Sequence, residues 1–233
     1  MRRNVLNLKI VSSQTLKIIM KKIVFILVFA ITAFTSYAQT KIAIKGGVNY
    51  SGARVYFKKE IANENIKQPS DYKTGFGLGV HLELPFEGAL FFNPSFMYNM
   101  RGYTYTPTYG DTTKYDNTIH YFDISPMLSV HTKQKGKGKF VVSAGPVLGF
   151  ALSGTEKTTT NNITTSKKMK FAFSGGYGAV DLGLKGGIGF QTNKVLIEAQ
   201  YYYGAANINN RSEFDHRNIQ NRMFSLNIGY FIK

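Results

Sequence analysis

The chain has 233 residues, 43% of them hydrophobic and only 18% charged, with no cysteine and no tryptophan. This length suits one all-β domain, the composition excludes long disordered tails, and the lack of cysteine excludes a disulfide framework, a thiolate metal site, a cysteine nucleophile and a lipoprotein anchor. The formal charge of +16, taken alone, points to nucleic acid or another anionic surface.

Residues 20–38, MKKIVFILVFAITAFTSYA, read as a secretory signal. Lys21 and Lys22 give a positive start, and Ile23 to Phe34 give an apolar core of 12 residues. Ser36-Tyr37-Ala38 then supplies the small-x-small pattern of a cleavage site, with the cut between Ala38 and Gln39. The apolar run falls short of the ~20 residues a spanning helix needs, and the small residues at 36 and 38 favour cleavage over an uncleaved anchor. Residues 1–19 precede the natural start of such a signal, so Met20 is the expected initiator and 1–19 an upstream extension. Arg2, Arg3, Lys9, Lys17, Lys21 and Lys22 leave with the signal and no acid does, so 29 basic residues become 23 and the charge of the remaining barrel domain, 39–233, falls from +16 to +10.

The rest of the chain alternates with the two-residue period of strands. Ile42, Ile44, Val48 and Tyr50 share a face opposite Lys45 and Asn49. Phe76, Leu78, Val80, Leu82 and Leu84 oppose His81 and Glu83; Phe92, Pro94, Phe96, Tyr98 and Met100 oppose Asn93, Asn99 and Arg101. Phe122 to Val130 oppose Asp123 and Ser125, and Phe140 to Leu152 oppose Ser143 and Gly149. Val180, Leu182, Leu184, Ile188 and Phe190 oppose Asp181 and Lys185. Val195, Ile197, Ala199, Tyr201 and Tyr203 oppose Glu198 and Gln200. Phe224 to Ile232 close the series. This predicts eight strands, each about the ~9–11 residues that a tilted strand needs to cross a bilayer.

The connections alternate in length. Pro85–Ala89, Thr132–Lys139 and Gln191–Lys194 are short; Ala53–Lys73, Tyr103–Asn117, Ser153–Tyr177 and Ala205–Asn221 are long and polar. Outer-membrane barrels pair short periplasmic turns with long extracellular loops in this way. The expectation is therefore all-β: an eight-stranded antiparallel up-and-down transmembrane barrel with a polar, plugged lumen, since an eight-stranded interior is just wide enough for side chains to fill. The lumen network would be Lys45, His81, Glu83, Arg101, Asp123, Asp181, Lys185 and Glu198, whose mixed charges can pair. An aromatic girdle of Tyr50, Phe76, Tyr98, Phe122, Phe150, Phe190, Tyr203 and Tyr230 would sit at the membrane interfaces. A soluble β-barrel, with its polar face in water, accounts less well for that aromatic placement.

The segments KIAIKGGVNYSG, GFGLGVHLEL, HYFDISPMLSV, KFVVSAGPVLGFALSG, DLGLKGGIGF, LIEAQYYYGAANI and NRMFSLNIGYFI resemble the PorT-like outer-membrane β-barrel domain family, small porin-like proteins of Bacteroidota. Gly145-Pro146, Asp181-Leu182-Gly183 and Tyr203-Gly204 carry the resemblance most distinctively, and it covers about residues 40–233. It implies an eight-stranded outer-membrane barrel and says little about activity, although some relatives take part in protein secretion. One departure is at the end: Asn227-x-Gly229-x-x-Ile232 begins a terminal assembly signal, but the chain stops at Lys233 where a last apolar residue is expected.

Motifs for chemistry are weak. Gly145–Gly149–Gly154-Thr155 lacks the lysine of a phosphate loop and precedes no helical pattern; Gly183–Gly189 likewise has no helix to bind pyrophosphate. His81, His120, His131 and His216 show no metal spacing, and neither metal nor cofactor is expected. Ser212, Asp215 and His216 cluster in the last long loop, but a triad is defined by geometry that a loop sequence does not supply. Lys133, Lys135, Lys137 and Lys139 read as a solvated turn. Lys58, Lys59, Lys67, Lys167, Lys168 and Lys170, in the outer loops, could meet lipopolysaccharide phosphates. An exported barrel without a recognition module is not expected to bind nucleic acid. The leading expectation is a non-enzymatic outer-membrane barrel whose extracellular loops meet membrane lipid, lipopolysaccharide or partner proteins. A narrow porin or a component of a secretion complex is the alternative, and a rim enzyme comes third.

Overall fold

The computed structural model describes residues 40–59, 64–107, 113–132, 138–172, 176–210 and 217–232. The expected extension 1–19, the signal 20–38 and the pair Ala38 and Gln39 lie outside the described residues, as do Lys133, Lys135, Lys137, Ser212, Asp215 and His216 and the side chains of Lys58 and Lys59.

The chain forms strands β1 (Lys41–Lys59), β2 (Glu64–Gln68), β3 (Ser70–Glu87), β4 (Leu90–Tyr105), β5 (Lys114–His131), β6 (Lys139–Thr160), β7 (Ile163–Lys168), β8 (Phe171–Ala172), β9 (Gly176–Gly178), β10 (Val180–Gln191), β11 (Val195–Gly204), β12 (Asn209–Asn210) and β13 (Arg217–Phe231). Eight of them close a ring in the order β1-β3-β4-β5-β6-β10-β11-β13, with β13 returning to β1 through antiparallel pairs from Ala43↔Phe231 to Phe57↔Arg217. Closure leaves no unpaired edge around the wall, which is the condition for β-structure in lipid. β12, β9 and β8 make a separate three-stranded sheet.

One end of the ring has tight turns. Gly88, at φ 56°, turns β3 into β4, and Thr192 joins β10 to β11 by accepting the Val195 N–H on its hydroxyl at 3.0 Å. At the other end the strands run on. β1 has 19 residues and β6 has 22, against the ~9–11 that span a bilayer. The segments expected as long loops are therefore largely strand: 53–59, 64–68, 70–73, 103–105, 114–117, 153–160 and 163–168 all lie in the ladder. Thr, Tyr and Val supply the strand preference there. The bilayer length limits only the part of each strand that lipid touches.

Around the ring, side chains alternate as the pleat demands. On β1, Ile44, Val48 and Tyr50 point outward and are exposed, while Lys45, Asn49 and Ser51 are buried. On β5, Phe122, Leu128 and Val130 are outside and Asp123, Ser125 and Ser129 inside. The apolar wall is thus the outer surface.

A row of prolines interrupts the ladders of the wall at mid-height. Pro94 faces Pro126 across β4 and β5. The β5–β6 register runs to Ile124↔Leu148 and resumes at Leu128↔Ala144, which places Pro126 opposite Pro146. At that position two backbone bonds would be exchanged, but proline has no N–H to give. Proline is ordinarily confined to edges and bulges; here three form a row across adjacent strands.

Candidate functional site

Two regions could carry function: the lumen of the ring and the hairpin end above it.

The lumen is built around Arg101, 1% exposed. β4 places it between β5 and β10, where its guanidinium donates to Asp181 at 2.9 Å and to Asp123. The rings of Tyr121 and Tyr202 lie on either side, with centroids 4.5 and 4.4 Å from its Cζ. Asn99 donates to Asp123 at 2.7 Å, and Asn221 donates to Asp181 at 2.8 Å and to the Tyr121 hydroxyl at 3.2 Å. Glycine gives these groups room. A Cβ at Gly149 would sit 2.7 Å from the Asp123 carboxylate, and one at Gly183 would sit 2.6 Å from the Tyr202 ring. A buried charge is tolerated when it is paired and hydrogen-bonded; each charge here is paired and each carboxylate accepts a further amide bond, while Arg101 Nε and one oxygen each of Asp123 and Asp181 are buried without a hydrogen-bond partner.

Toward the tight turns a second layer joins Lys45 to Glu198 at 2.5 Å, and Ser143 donates to the same carboxylate at 2.7 Å. Lys185 donates to Ser125 at 3.2 Å. In a third layer Glu83 accepts from Gln191 at 2.7 Å and faces Lys139 at 3.6 Å and Lys41 at 3.8 Å. His81 contacts Asn93 at 3.4 Å. All eight sequence-predicted lumen residues are therefore buried inside the ring. They divide into three layers instead of one network, and Met97, Met127 and Val147 are buried among them. The cavity between His81, Glu83, His131 and Glu198 measures only about 10 Å³, about the minimum for one water.

The eight predicted girdle residues lie on the outer face. Tyr98 pairs with Phe122, and Phe122 with Phe150, across β4, β5 and β6. Tyr50 stacks on Tyr72 at 5.0 Å, and the Tyr98 hydroxyl meets His120 Nδ1 at 2.6 Å. Phe190 lies at the tight-turn end, edge-on to Phe140 at 5.4 Å. Tyr230 is on the same rim, level with Ile44 and Val195; Phe76 and Tyr203 stand outward on β3 and β11.

The hairpin end holds what the sequence reading missed. Ala53, Val55, Tyr103, Tyr105, Ile119, Tyr121, Met169, Tyr177, Ile208 and Ile219 pack into one buried apolar core. On β1, β4 and β5 its members continue the inward phase that carries Lys45, Arg101 and Asp123 lower down, with Tyr103 next inward after Arg101 and Tyr121 next inward before Asp123. The signal was present: Ala53–Val55 and Ile119–Tyr121 continue the alternation with apolar residues on the polar phase. Residues 169–172 and 176–178, with Ile208, cap this core. Gly178 N–H donates to Ile208 O at 2.8 Å and Tyr177 N–H to Lys170 O at 2.9 Å. Burial pushes the Tyr105 phenol up to about 12, against the pull of the adjoining Arg217 guanidinium, so it is neutral at physiological pH. Beside the cap, Glu156, Lys167, Lys168, Met169, Lys170, Gly176 and Tyr177 line a cleft of about 230 Å³. The Tyr177 hydroxyl donates to Glu156.

Among the described residues no group of three or more His, Asp or Glu side chains could hold a metal ion.

The chain matches the outer membrane protein β-barrel domain family over residues 37–210, well over half its length. Among solved structures it is similar to Ail, the attachment invasion locus protein of Yersinia pestis, at 18% identity over 82% of this chain and 98% of that one, with a TM-score of 0.40. It is similar to OprG of Pseudomonas aeruginosa at 12% identity over 82% and 95%, with a TM-score of 0.46. It is also similar to the outer-membrane protease OmpT of Escherichia coli at 10% identity over 84% and 98%, with a TM-score of 0.43. No curated protein sequence matches it. With its lipid-facing wall, closed ring and family match, the chain belongs to the outer membrane protein β-barrel domain family and is an integral outer-membrane β-barrel protein.

Proposed function

We propose that this barrel works as a structural and interaction protein, through its extracellular end and without conduction or catalysis. The observation that carries this reading is the Arg101 cluster. Two carboxylates and two tyrosine rings enclose one guanidinium across the lumen, and below it the cavity beside His81, Glu83, His131 and Glu198 measures about 10 Å³. Ions have no path past such a layer while it stays paired. The extracellular hairpins, by contrast, offer exposed Lys67, Lys157, Lys167, Lys168 and Lys170. Lysine is a competent partner for phosphate, so lipopolysaccharide and acidic segments of proteins are the ligand classes these hairpins suit. The residues Gly145-Pro146, Asp181-Leu182-Gly183 and Tyr203-Gly204 support placing the chain in the PorT-like subgroup. Export with cleavage between Ala38 and Gln39 completes the reading, and N-terminal sequencing of the membrane-embedded protein tests that step.

Planar-bilayer recording tests the rest. The protein is expected to give no discrete, steady channel. Stable openings in wild-type protein would overturn the closed-lumen reading and bring forward the narrow porin.

A further inference from the structure

Strand β7 ends its sheet. It pairs with β6 from Thr155↔Lys168 to Thr160↔Ile163, and no described strand pairs with its other side. All six of its residues are exposed. The direction of its backbone groups follows from the turn. Asn161 and Asn162 have φ of 49° and 65°, the type I′ geometry of a two-residue hairpin, so Thr160 and Ile163 close the hairpin as a hydrogen-bonded pair. Alternation then turns Ile163, Thr165 and Lys167 toward β6. Met169 keeps this phase, its N–H reaching Gly154 O at 2.9 Å. The N–H and C=O groups of Thr164, Ser166 and Lys168 therefore point away from the sheet, in a row with a repeat of ~7 Å.

Such a row is a template for another strand, and main-chain bonding to an exposed edge is a general mode of peptide recognition. The charge around it selects the occupant. Lys157, Lys167, Lys168 and Lys170 are exposed on or beside the hairpin, whereas Glu156 is buried and accepts from Tyr177. Two copies of this hairpin would bring like charges together, and lysine on an edge discourages that pairing. A strand carrying acidic residues meets no such penalty. Building on the reading of the extracellular end as an interaction surface, we propose that the free edge of β7 takes an extended, acidic segment of a partner protein as an added strand.

The test uses the full-length barrel folded in detergent micelles and a fluorescein-labelled peptide of alternating Glu and Val, read by anisotropy. Wild type should bind it and should not bind the Lys-Val counterpart. Ser166→Pro removes one outward N–H and leaves every β6–β7 bond in place; loss of that bond should weaken binding by about tenfold. Lys167→Gln with Lys168→Gln should weaken it similarly. Thr164→Pro serves as the second edge variant should Ser166→Pro disturb the hairpin. Unchanged peptide affinity in the folded proline variants would overturn strand addition and leave charge alone. Vesicles containing lipopolysaccharide separate the two levels of the proposal. If they bind wild type while the Glu-Val peptide does not, the β7 edge is refuted and the interaction surface stands. If neither binds, both readings fall.

Discussion

Along β1, Val48 and Tyr50 face outward and Lys45 and Asn49 inward; a few residues further on, Arg54 is outward and Val55 inward. The strand does not change its pleat or its phase between these points. What changes is the medium outside the wall. In lipid the apolar side chains belong outside and the polar ones pair within; in water the preference reverses. The crossover falls at one level, where Arg101 lies directly below Tyr103 on β4 and Asp123 directly below Tyr121 on β5. Both register irregularities toward the hairpin end, at Tyr72–Gly77 and at His120–Tyr121, flank this level. A single continuous sheet thus serves as a membrane wall for part of its height and as a water-soluble domain for the rest.

The contrast can be broken most strongly at Arg101. Arg101→Met strands two buried carboxylates, and removing one partner of a buried ion pair costs about 3–5 kcal/mol. Urea unfolding in micelles should show a loss of that size, and the triple variant Arg101→Met, Asp123→Leu, Asp181→Leu should recover most of it. Recovery fails if the cluster also depends on charge for its geometry. Tyr103→Ala should cost about 3 kcal/mol, as large-to-small changes in a packed core do, but the loss should be local. Limited proteolysis within 153–178 should speed up while the unheated gel shift of the intact ring persists. Equal loss of both would show that the two regions unfold as one. Val48→Arg should cost ~2 kcal/mol on the lipid face, while Arg54→Val, same strand and same face, should stay within about 0.5 kcal/mol. A comparable penalty at both positions would contradict the crossover. The smallest effect is expected at the proline row: Pro146→Val restores an N–H opposite the Pro126 carbonyl and should gain about 1 kcal/mol.

Much of the membrane half was legible because it rests on one signal, the two-residue period, repeated eight times between connections of alternating length. The partners within the lumen were not. Arg101 and Asp181 are 80 residues apart in sequence, and what brings them together is the stagger of β4 against β10 around the ring. Composition could list the charges but could not pair them. Tyr121, Tyr202 and Asn221 escaped for the same reason. The core of the hairpin end was hidden by a different ambiguity: Tyr50 on the outer face and Tyr103 in the core are the same residue type on opposite phases. Reading loops from polarity placed Tyr103–Asn117 and Ser153–Tyr177 outside the ladder, although Thr-rich stretches such as 158–165 favour strand as strongly as they favour water.

The row Pro94, Pro126 and Pro146 gives the barrel a mechanical grain. A closed antiparallel wall is stiff in circumference because every residue is tied to both neighbours. Here β5 and β6 hold each other above and below the prolines but not between Ile124 and Leu128. The β3–β4 ladder is broken in the same way opposite Pro94, between His81↔Ser95 and Leu84↔Phe92, so the stretch of wall from β3 to β6 carries fewer circumferential bonds than the rest of the ring.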